Sequence, residues 1–516
     1  MNKLGFMALS KKQILIYFGL FTIIFYGGCR KDFGTVLSTG SLSFSKDTVF
    51  LDTIFTNTSS STSKFKVYNK SGHAITIPSI TLEKGLSSFY RLNVDGIPGK
   101  HFENIDILAH DSIFVFIEAT IDFNAVKNPL YNDKILFDNG TNKQKVDLVT
   151  LVQDAHFLFP AKDAKGIVET IKIGTDANGD AIKVKGFNLK SNTTFTNDKP
   201  YVIYGYLAIP KNVTLNIDQG ANLYFHENSG IIVSKGGTLN VNGSLDKKVI
   251  FQGDRLEPNF KNTPGQWGTI WLRAGSKGNT INNAIIKNSI IGILSDSIGS
   301  NSSATLEITN TEIYNTSNYG IIGRSTKIVG KNLVIANNGQ ASLACTIGGD
   351  YKFTHCTFAN YFKDGFRQFP TLLINNFISF DDNGTEKFIT QDLNQAQFTN
   401  CIIDGNQNIE MVLDKKDGSN FNYKFNNNLI KFNDINKTFT NNPLYNFDDQ
   451  TIFSNNLLNA DAKFKDVDTN QFIIGKNSEA INKANVNVAT QIPFDILGIS
   501  RLPNPDIGAY QHSEEF

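Results

Sequence analysis

Between residues 207 and 241 the chain repeats one short pattern, an apolar residue, any residue, an apolar residue. The pairs are Leu207/Ile209, Leu215/Ile217, Leu223/Phe225, Ile231/Val233 and Leu239/Val241, each beginning eight residues after the last. Side chains two apart lie on one face of a strand. The rest of each step is strand end and turn, and Gly220, Gly230 and Gly236-Gly237 stand in those gaps, where left-handed backbone is expected. A helical stripe of period 3.6 cannot produce this spacing. The segment predicts a run of short strands.

A second pattern appears further on. A template of two apolar residues separated by four positions fits with first residues Ile281, Ile308, Val329, Phe353, Ile374, Phe398 and Phe425, whose mean spacing is (425 − 281)/6 = 24. Twenty-four is three times eight, so one repeat is three strand–turn units, which predicts a three-sided coil. Such repeats bury a face only by stacking. About eleven coils, at about 4.8 Å per rung, predict a rod roughly 50 Å long.

The columns of this alignment are informative. Two positions after each anchor stand Asn283, Asn310, Lys331, His355, Asn376, Asn400 and Asn427. Asparagine tolerates the left-handed conformation, and stacked amides bond along a column. Five positions after the anchor the residue is apolar in six repeats of seven, Ser379 being the exception. Cys356 and Cys401 fall in one column with Phe377 between them, which predicts buried, reduced thiols about 10 Å apart, too far for a disulfide. With Cys345 they lack C-x-x-C spacing, so neither a zinc site nor a disulfide framework is indicated.

These residues resemble the right-handed parallel β-helix family, the pectate-lyase-like superfold, including its asparagine ladder. The resemblance covers roughly 199–512 and extends to GQWGTIWL at 265–272. At the end of the chain SEAINKA (478–484), DILGISR (495–501) and PDIGAYQ (505–511) are similar to the closing motifs of many bacterial β-helix proteins. Asn482 stands where those motifs have Asp and Gln511 where they have Glu, which speaks against metal coordination there.

Upstream, DTVFLDTIF, KFKVYN, AITIPSITL, FYRLNV, DSIFVFIEATI, DKILFDNG and KVDLVTLVQ alternate as seven strands between turn residues. That layout, over 41–158, resembles the immunoglobulin-like β-sandwich modules of bacterial surface proteins. IKIGTDANGDAIKVKG (171–186) centres on Asn178-Gly179 and reads as a hairpin in a connector at 159–198. Asp176, Asn178 and Asp180 have the opening spacing of a calcium loop, but the loop glycine is misplaced and no glutamate closes it, so no cofactor is indicated. The expected fold class is all-β, a small sandwich followed by a β-helix from 199 to 516.

The first residues read differently. Lys3, Lys11 and Lys12 precede an apolar run at 14–26, too short to span a bilayer and suited to a secretory signal. Gly27-Gly28-Cys29 resembles the lipobox of bacterial lipoproteins, which implies a signal at 1–28, lipid attachment at Cys29 and a tether over 29–40. The membrane is then a partner through the lipid, and the expected location is the cell envelope, most simply the outer membrane. Asn-, Lys- and Ile-rich usage resembles Bacteroidota envelope proteins. Lys+Arg is 49 against Asp+Glu 48, which removes any electrostatic case for nucleic acid.

For chemistry the sequence offers little. The superfold hosts lyases, hydrolases and adhesins, so function must come from a site. The chain has neither the N-T-D nor the G-H-G motif of polygalacturonase-type helices. Candidate catalytic residues are Asp254 and Arg255, Asp364 and Arg367, and Asp381 and Asp382, each pair also readable as ordinary turn charges. Trp267 and Trp271, four apart, are expected to face one way and to pack inside or against the N-terminal module. The loops 254–265 and 405–422 are not placed by the repeat. The expectation is a non-catalytic binding or display rod for carbohydrate or a surface partner; the alternative is a polysaccharide lyase or glycoside hydrolase.

Overall fold

The computed structural model describes residues 34–138, 140–297 and 303–516; Cys29 and the apolar run before it lie outside them. The chain divides into two compact units, the first ending at Gln153 and the second running from Asp154 to Phe516.

The first unit is a β-sandwich. One sheet is ordered Val36–Leu37, Ile75–Leu82, Leu130–Phe137, Gln144–Gln153, Thr48–Phe55, with His101–Ile107 also on Ile75–Leu82. The other runs Ser43–Phe44, Ser63–Tyr68, Ser112–Ala119, Tyr90–Val94, Ile97–Gly99. Inward residues such as Val49, Val67, Ile77, Val115, Ile135 and Leu148 are fully buried between them. All seven strands read from alternation are present, and His101–Ile107 is an addition. Its buried residues are Phe102, Ile105 and Ile107, because Asn104 is left-handed (φ 55°) and breaks the alternation between the first two.

The second unit is a parallel β-helix with three sheets running along its axis. The third sheet stacks 156–158, 201–203, 222–225, 249–253, 284–287, 312–316, 334–338, 357–360, 402–405, 429–430 and 457–458. The first sheet runs from 186–188 to 411–414 and the second from 193–195 to 453–454. The opening pattern is one coil repeated: Leu207 pairs with Ile231 and Leu215 with Leu239. All ten residues of those apolar pairs are fully buried. Gly220 and Gly236 are left-handed as expected (φ 79° and 75°), whereas Gly230 is not; a Cβ there would meet the Tyr206 ring at 2.7 Å.

Stacking begins earlier than the periodicity suggested. His156–Leu158, assigned by sequence to the sandwich, pairs with Tyr201–Ile203 of the coil. The connector hairpin, Thr170–Thr175 with Ala181–Asn188, joins the first sheet through Gly186–Asn188. It folds over the outward residues Ala208, Ile232 and Trp271, and Arg273 pins it by donating to the carbonyls of Lys172 (3.3 Å) and Ile173 (2.9 Å). Asp176 Oδ1 accepts from the N–H groups of Asn178 (2.9 Å) and Asp180 (2.8 Å), the work of a turn.

From Asn283 onward the chain turns from second to third sheet at a left-handed residue, so 306–316 is one strand bent at Asn310. The column of such residues is Asn283, Asn310, Asn332, His355, Asn400 and Asn427, with φ between 49° and 57°. Two members of the expected column are displaced. Lys331 is one residue out of register, because Ile308 pairs with Gly330 and not Val329. Gly330 stands where the template asks for an apolar side chain since a Cβ there would lie 2.5 Å from the Phe353 ring above it. Asn376 lies outside the column: Ile374 belongs to the first sheet, paired with Cys345 and Leu413. The real step is Phe353 to Phe398, one coil enlarged by the hairpin Phe377–Asp382 with Thr385–Thr390. For the same reason Cys356 and Cys401 sit on adjacent rungs and not two apart; both are buried free thiols.

The chain ends as a strap over the third sheet. Phe472, Ile496, Ala509 and Tyr510 pack on Tyr314, Val334, Ala336 and Ala359, and Ile474, Ala480 and Ile507 on Ile402 and Leu429. The closing motifs are its buried polar frame. Arg501 donates to Asn332 Oδ1 (2.9 Å) and the Ala509 carbonyl (3.0 Å), and burial pulls its guanidinium down to about 10. Asp506 accepts from Asn482 N–H (2.8 Å) and His512 N–H (2.7 Å). At the far end of the coil, Phe432, Phe439, Tyr445, Phe447 and Phe453 form an aromatic plug. The Tyr445 hydroxyl accepts from the Leu413 N–H (2.7 Å) and donates to its carbonyl (3.2 Å).

Candidate functional site

The corner between the third and first sheets carries two insertions, 254–269 and 361–371. There, in three consecutive coils, the residue that follows the third-sheet strand still bonds to the rung before: Tyr204 N–H to Leu158 O (2.8 Å), His226 N–H to Ile203 O (3.0 Å), Asp254 N–H to Phe225 O (3.0 Å). Tyr204, His226 and Asp254 are therefore held on successive rungs. The His226 and Tyr204 rings lie 4.7 Å apart, and His226 Nδ1 is 2.7 Å from Asp254 Oδ2. Burial pushes the Asp254 carboxyl up, opposed by the His226 hydrogen bond and charge. Burial, then the Asp254 charge, raises Tyr204.

A cavity of about 980 Å³ opens over this ladder, lined among others by Phe159, Lys185, Tyr204, Tyr206, His226, Glu227 and Ile290. Its floor needs glycine: a Cβ on Gly268 would strike the Tyr206 hydroxyl at 2.2 Å. Further along the same corner a second cavity of about 730 Å³ is bounded by Lys261, Asn262, Ser317, Gln340, Phe362, Asp364 and Phe366. Backbone hydrogen bonds link residues under the two, from Asn318 N–H to Ile290 O (2.9 Å) and from Gln340 N–H to Asn318 O (2.8 Å). Residues of the loop 254–265 wall the second cavity. From Tyr204 to Phe362 the corner crosses seven rungs, so this stretch of it is roughly 29 Å long at about 4.8 Å per rung. Phe159 and Phe366, one in each cavity, are 65% and 89% exposed.

The six candidate residues are not brought together. Asp254 joins His226 at the first cavity, while Arg255 pairs with Glu257 (2.9 Å) and lies over the Phe260 ring (3.9 Å). Asp364 lines the second cavity. Arg367 is buried and clamps Glu410 through two guanidinium nitrogens (2.5 and 2.7 Å), with Asn406 Oδ1 at 2.6 Å. Asp381 Oδ1 accepts from Gly384 N–H (2.8 Å) and Asp382 pairs with Lys387, both in the exposed hairpin. No group of three or more His, Cys, Asp or Glu suited to a metal occurs among the described residues, and none of their helices is long and apolar enough to cross a membrane.

Trp267 and Trp271 do not face one way. Trp267 is buried, stacked on Phe225 (4.4 Å), because it lies in the turn before the strand at 270–272; Trp271 is outward on that strand and donates to Asp296 Oδ2 (2.7 Å). The sequence reading missed Tyr204, Tyr206, His226 and Glu227. The available signal was position, since Tyr204 and His226 each follow the inner residue that closes a third-sheet strand.

Residues 187–304 match the family model described as a pectate-lyase like beta helix domain. No curated protein matches the chain. Among solved structures, the catalytic unit of a thermostable GH87 α-1,3-glucanase from Streptomyces thermodiastaticus strain HF3-3 is 11% identical, with TM-score 0.20, covering 70% of this chain and 61% of that one. A family 123 glycoside hydrolase from Clostridium perfringens is 14% identical, with TM-score 0.16, covering 22% of this chain and 26% of that one. The chain thus spans less than two thirds of either enzyme, and superpositions this loose say nothing about its activity.

Proposed function

We propose that this chain is a cell-envelope protein, lipid-anchored through Cys29, whose β-helix holds an extended carbohydrate chain in the corner trough without cleaving it. The sandwich, read as an immunoglobulin-like module, follows the anchor in the chain as a spacer. One observation carries the binding reading: exposed rings, Phe159 and Phe366, flank a polar floor that includes Tyr204, His226, Ser317 and Gln340. A sugar stacks its C–H face on an aromatic ring while its hydroxyls bond to placed polar groups. The outward face of the second sheet supports it, with a ladder from Asn240 Nδ2 to Asn216 Oδ1 (3.1 Å) and from Thr280 Oγ1 to Asn240 Oδ1 (3.2 Å).

The second reading, a polysaccharide-cleaving enzyme, is favoured by the Asp254 carboxyl raised by burial beside His226. Hydrolysis normally uses two carboxylates flanking the bond; here Glu227 lines the first cavity beside His226, the partner of Asp254, while Asp364 lines the second.

One experiment separates the two. The purified chain is run on affinity gels containing neutral and acidic polysaccharides, with release of reducing and unsaturated ends measured in parallel. Retention that Phe159→Ala and Phe366→Ala weaken tenfold or more, without released ends, is the expected result. Ends released by the natural chain and abolished in Asp254→Asn would establish the enzyme instead. No retention on any gel sinks the binding proposal. For the anchor, Cys29→Ser is expected to free the protein from membranes; unchanged fractionation and acyl labelling would defeat it.

A further inference from the structure

A different corner, between the second and third sheets, holds a separate cavity of about 410 Å³. Its floor is Asn283, Thr309, Asn310 and Lys331, and its walls are Leu245 and the strap from Gln491 to Ile496. Phe494 stands at its edge, 57% exposed.

The exposure of that ring is built in. The Phe494 carbonyl accepts from Asn332 Nδ2 (3.0 Å), and Arg501 N–H donates to the carbonyl of Pro493 (2.8 Å). Asp495 accepts from the N–H groups of Leu497 and Ile499 (both 2.8 Å) and of Gln511 (2.9 Å). Backbone is thus fixed on both sides of Phe494 while its ring remains in solvent. Leu245 closes the other wall against Gly498, where a Cβ would meet its Cδ2 at 2.8 Å.

Beneath the ring the floor is polar and partly unsatisfied. Thr309 Oγ1 donates to Asn282 Oδ1 (2.7 Å) and keeps its lone pairs for a further donor. The side chains of Lys331 and Gln491 make no hydrogen bond or ion pair among the described residues. The volume lies within the range of small-molecule sites, and a rigid aromatic beside a few polar groups is how such sites orient a ligand.

We infer that this cavity is a second carbohydrate site, which holds a short saccharide with one ring stacked on Phe494 and its hydroxyls on Thr309, Lys331 and Gln491. A peptide added as a strand needs a free sheet edge. None is offered here, because 279–282 is paired on both sides, with 238–242 and with 306–309. The inference rests on the proposed carbohydrate-binding role and gives the rod two points of attachment, on different corners, for one polymer or two. Two linked weak sites exceed either alone when geometry lets both engage.

The test titrates the full chain with cello-, xylo- and manno-hexaose by calorimetry, and repeats it with Phe494→Ala, Lys331→Ala and the double variant Phe159→Ala/Phe366→Ala. The expected result is two sites per chain for at least one hexaose. Phe494→Ala should weaken one of them tenfold or more and Lys331→Ala several-fold, while the double variant removes only the other. A single site, untouched by Phe494→Ala and lost in the double variant, overturns the second site and leaves the trough standing. A hexaose site that survives the double variant but not Phe494→Ala supports the second site and sinks the trough. Binding of none of the three sinks this inference. Phe494 and Lys331 are exposed, so both variants keep the fold, and an unchanged circular-dichroism melt checks it.

Discussion

The early coils and the late coils of one rod are held by different means. In the early coils, up to about residue 338, partners are mostly the same residue one rung away. Asn310 Nδ2 donates to Asn282 Oδ1 (3.1 Å), and Asn332, where the two regions meet, donates both to Asn310 Oδ1 (3.0 Å) and to the strap's Phe494 carbonyl (3.0 Å). In the late coils the same column turns outward to the strap. Asn400 Oδ1 accepts from Asn485 N–H (2.7 Å), and Asn427 Nδ2 donates to Lys483 O (3.0 Å). Repetition stabilises the first region and specific, non-repeating contacts the second. The lesson is that one residue type in one column contributes locally in one place and fastens the C-terminal strap in another.

The largest test is the buried clamp of the late coils. Glu410, fully buried, accepts from Arg367, from Thr371 N–H (2.9 Å) and from Gln407 N–H (2.7 Å). Glu410→Ala strands a buried guanidinium and is expected to cost about 3–5 kcal/mol, read as loss of amide-exchange protection confined to 360–430. Uniform loss along the rod would erase the distinction between the regions. Gly330→Ala probes where they meet. The added methyl collides with Phe353 and should cost about 1–3 kcal/mol in denaturant unfolding, and a neutral result would mean that the 308–330–353 register is wrong.

Replacing asparagine by glycine keeps the left-handed backbone and removes only the amide. Asn400→Gly leaves Asn485 and the buried His355 without their partner, and should cost about 1–3 kcal/mol, against about 1 kcal/mol for Asn310→Gly. Equal effects would break the comparison. The smallest effect is a pH dependence. Burial lowers the His512 pKa, but its bond to Asp506 Oδ2 (2.8 Å) and the neighbouring Glu514 outweigh it, so the imidazole is raised. A cationic group with a raised folded pKa adds stability below its ordinary value and loses it as pH rises through the folded one. The strap's end should be firmer at pH 5.5 than at pH 8.5, followed by limited proteolysis, with the difference absent in His512→Gln.

Legibility follows the same division. The eight-residue step was plain because inward residues of three sheets recur in strict alternation. The template failed where the coil departs from repetition, at Gly330, which makes room for Phe353, and at 377–390, where an inserted hairpin made one coil look like two. Cys356 and Cys401 were misplaced by that insertion alone. The trough was not legible: Tyr204, His226 and Asp254 are unlike residues at unequal spacing, joined only by the rungs. The closing motifs were visible, but their role as a buried frame around Arg501 depends on Asn332, 169 residues earlier.

A stack of parallel strands has no natural last member, and an unfinished edge recruits any chain that brings a matching one, the geometry by which fibrils lengthen. Tyr445 answers that hazard with one atom. By taking both the N–H and the carbonyl of Leu413, its hydroxyl occupies the pair of groups that an incoming strand would read first, and the surrounding phenyl rings fill the space such a strand would enter. The first sheet therefore has its last strand written into the fold, closed against an added copy by its own chain.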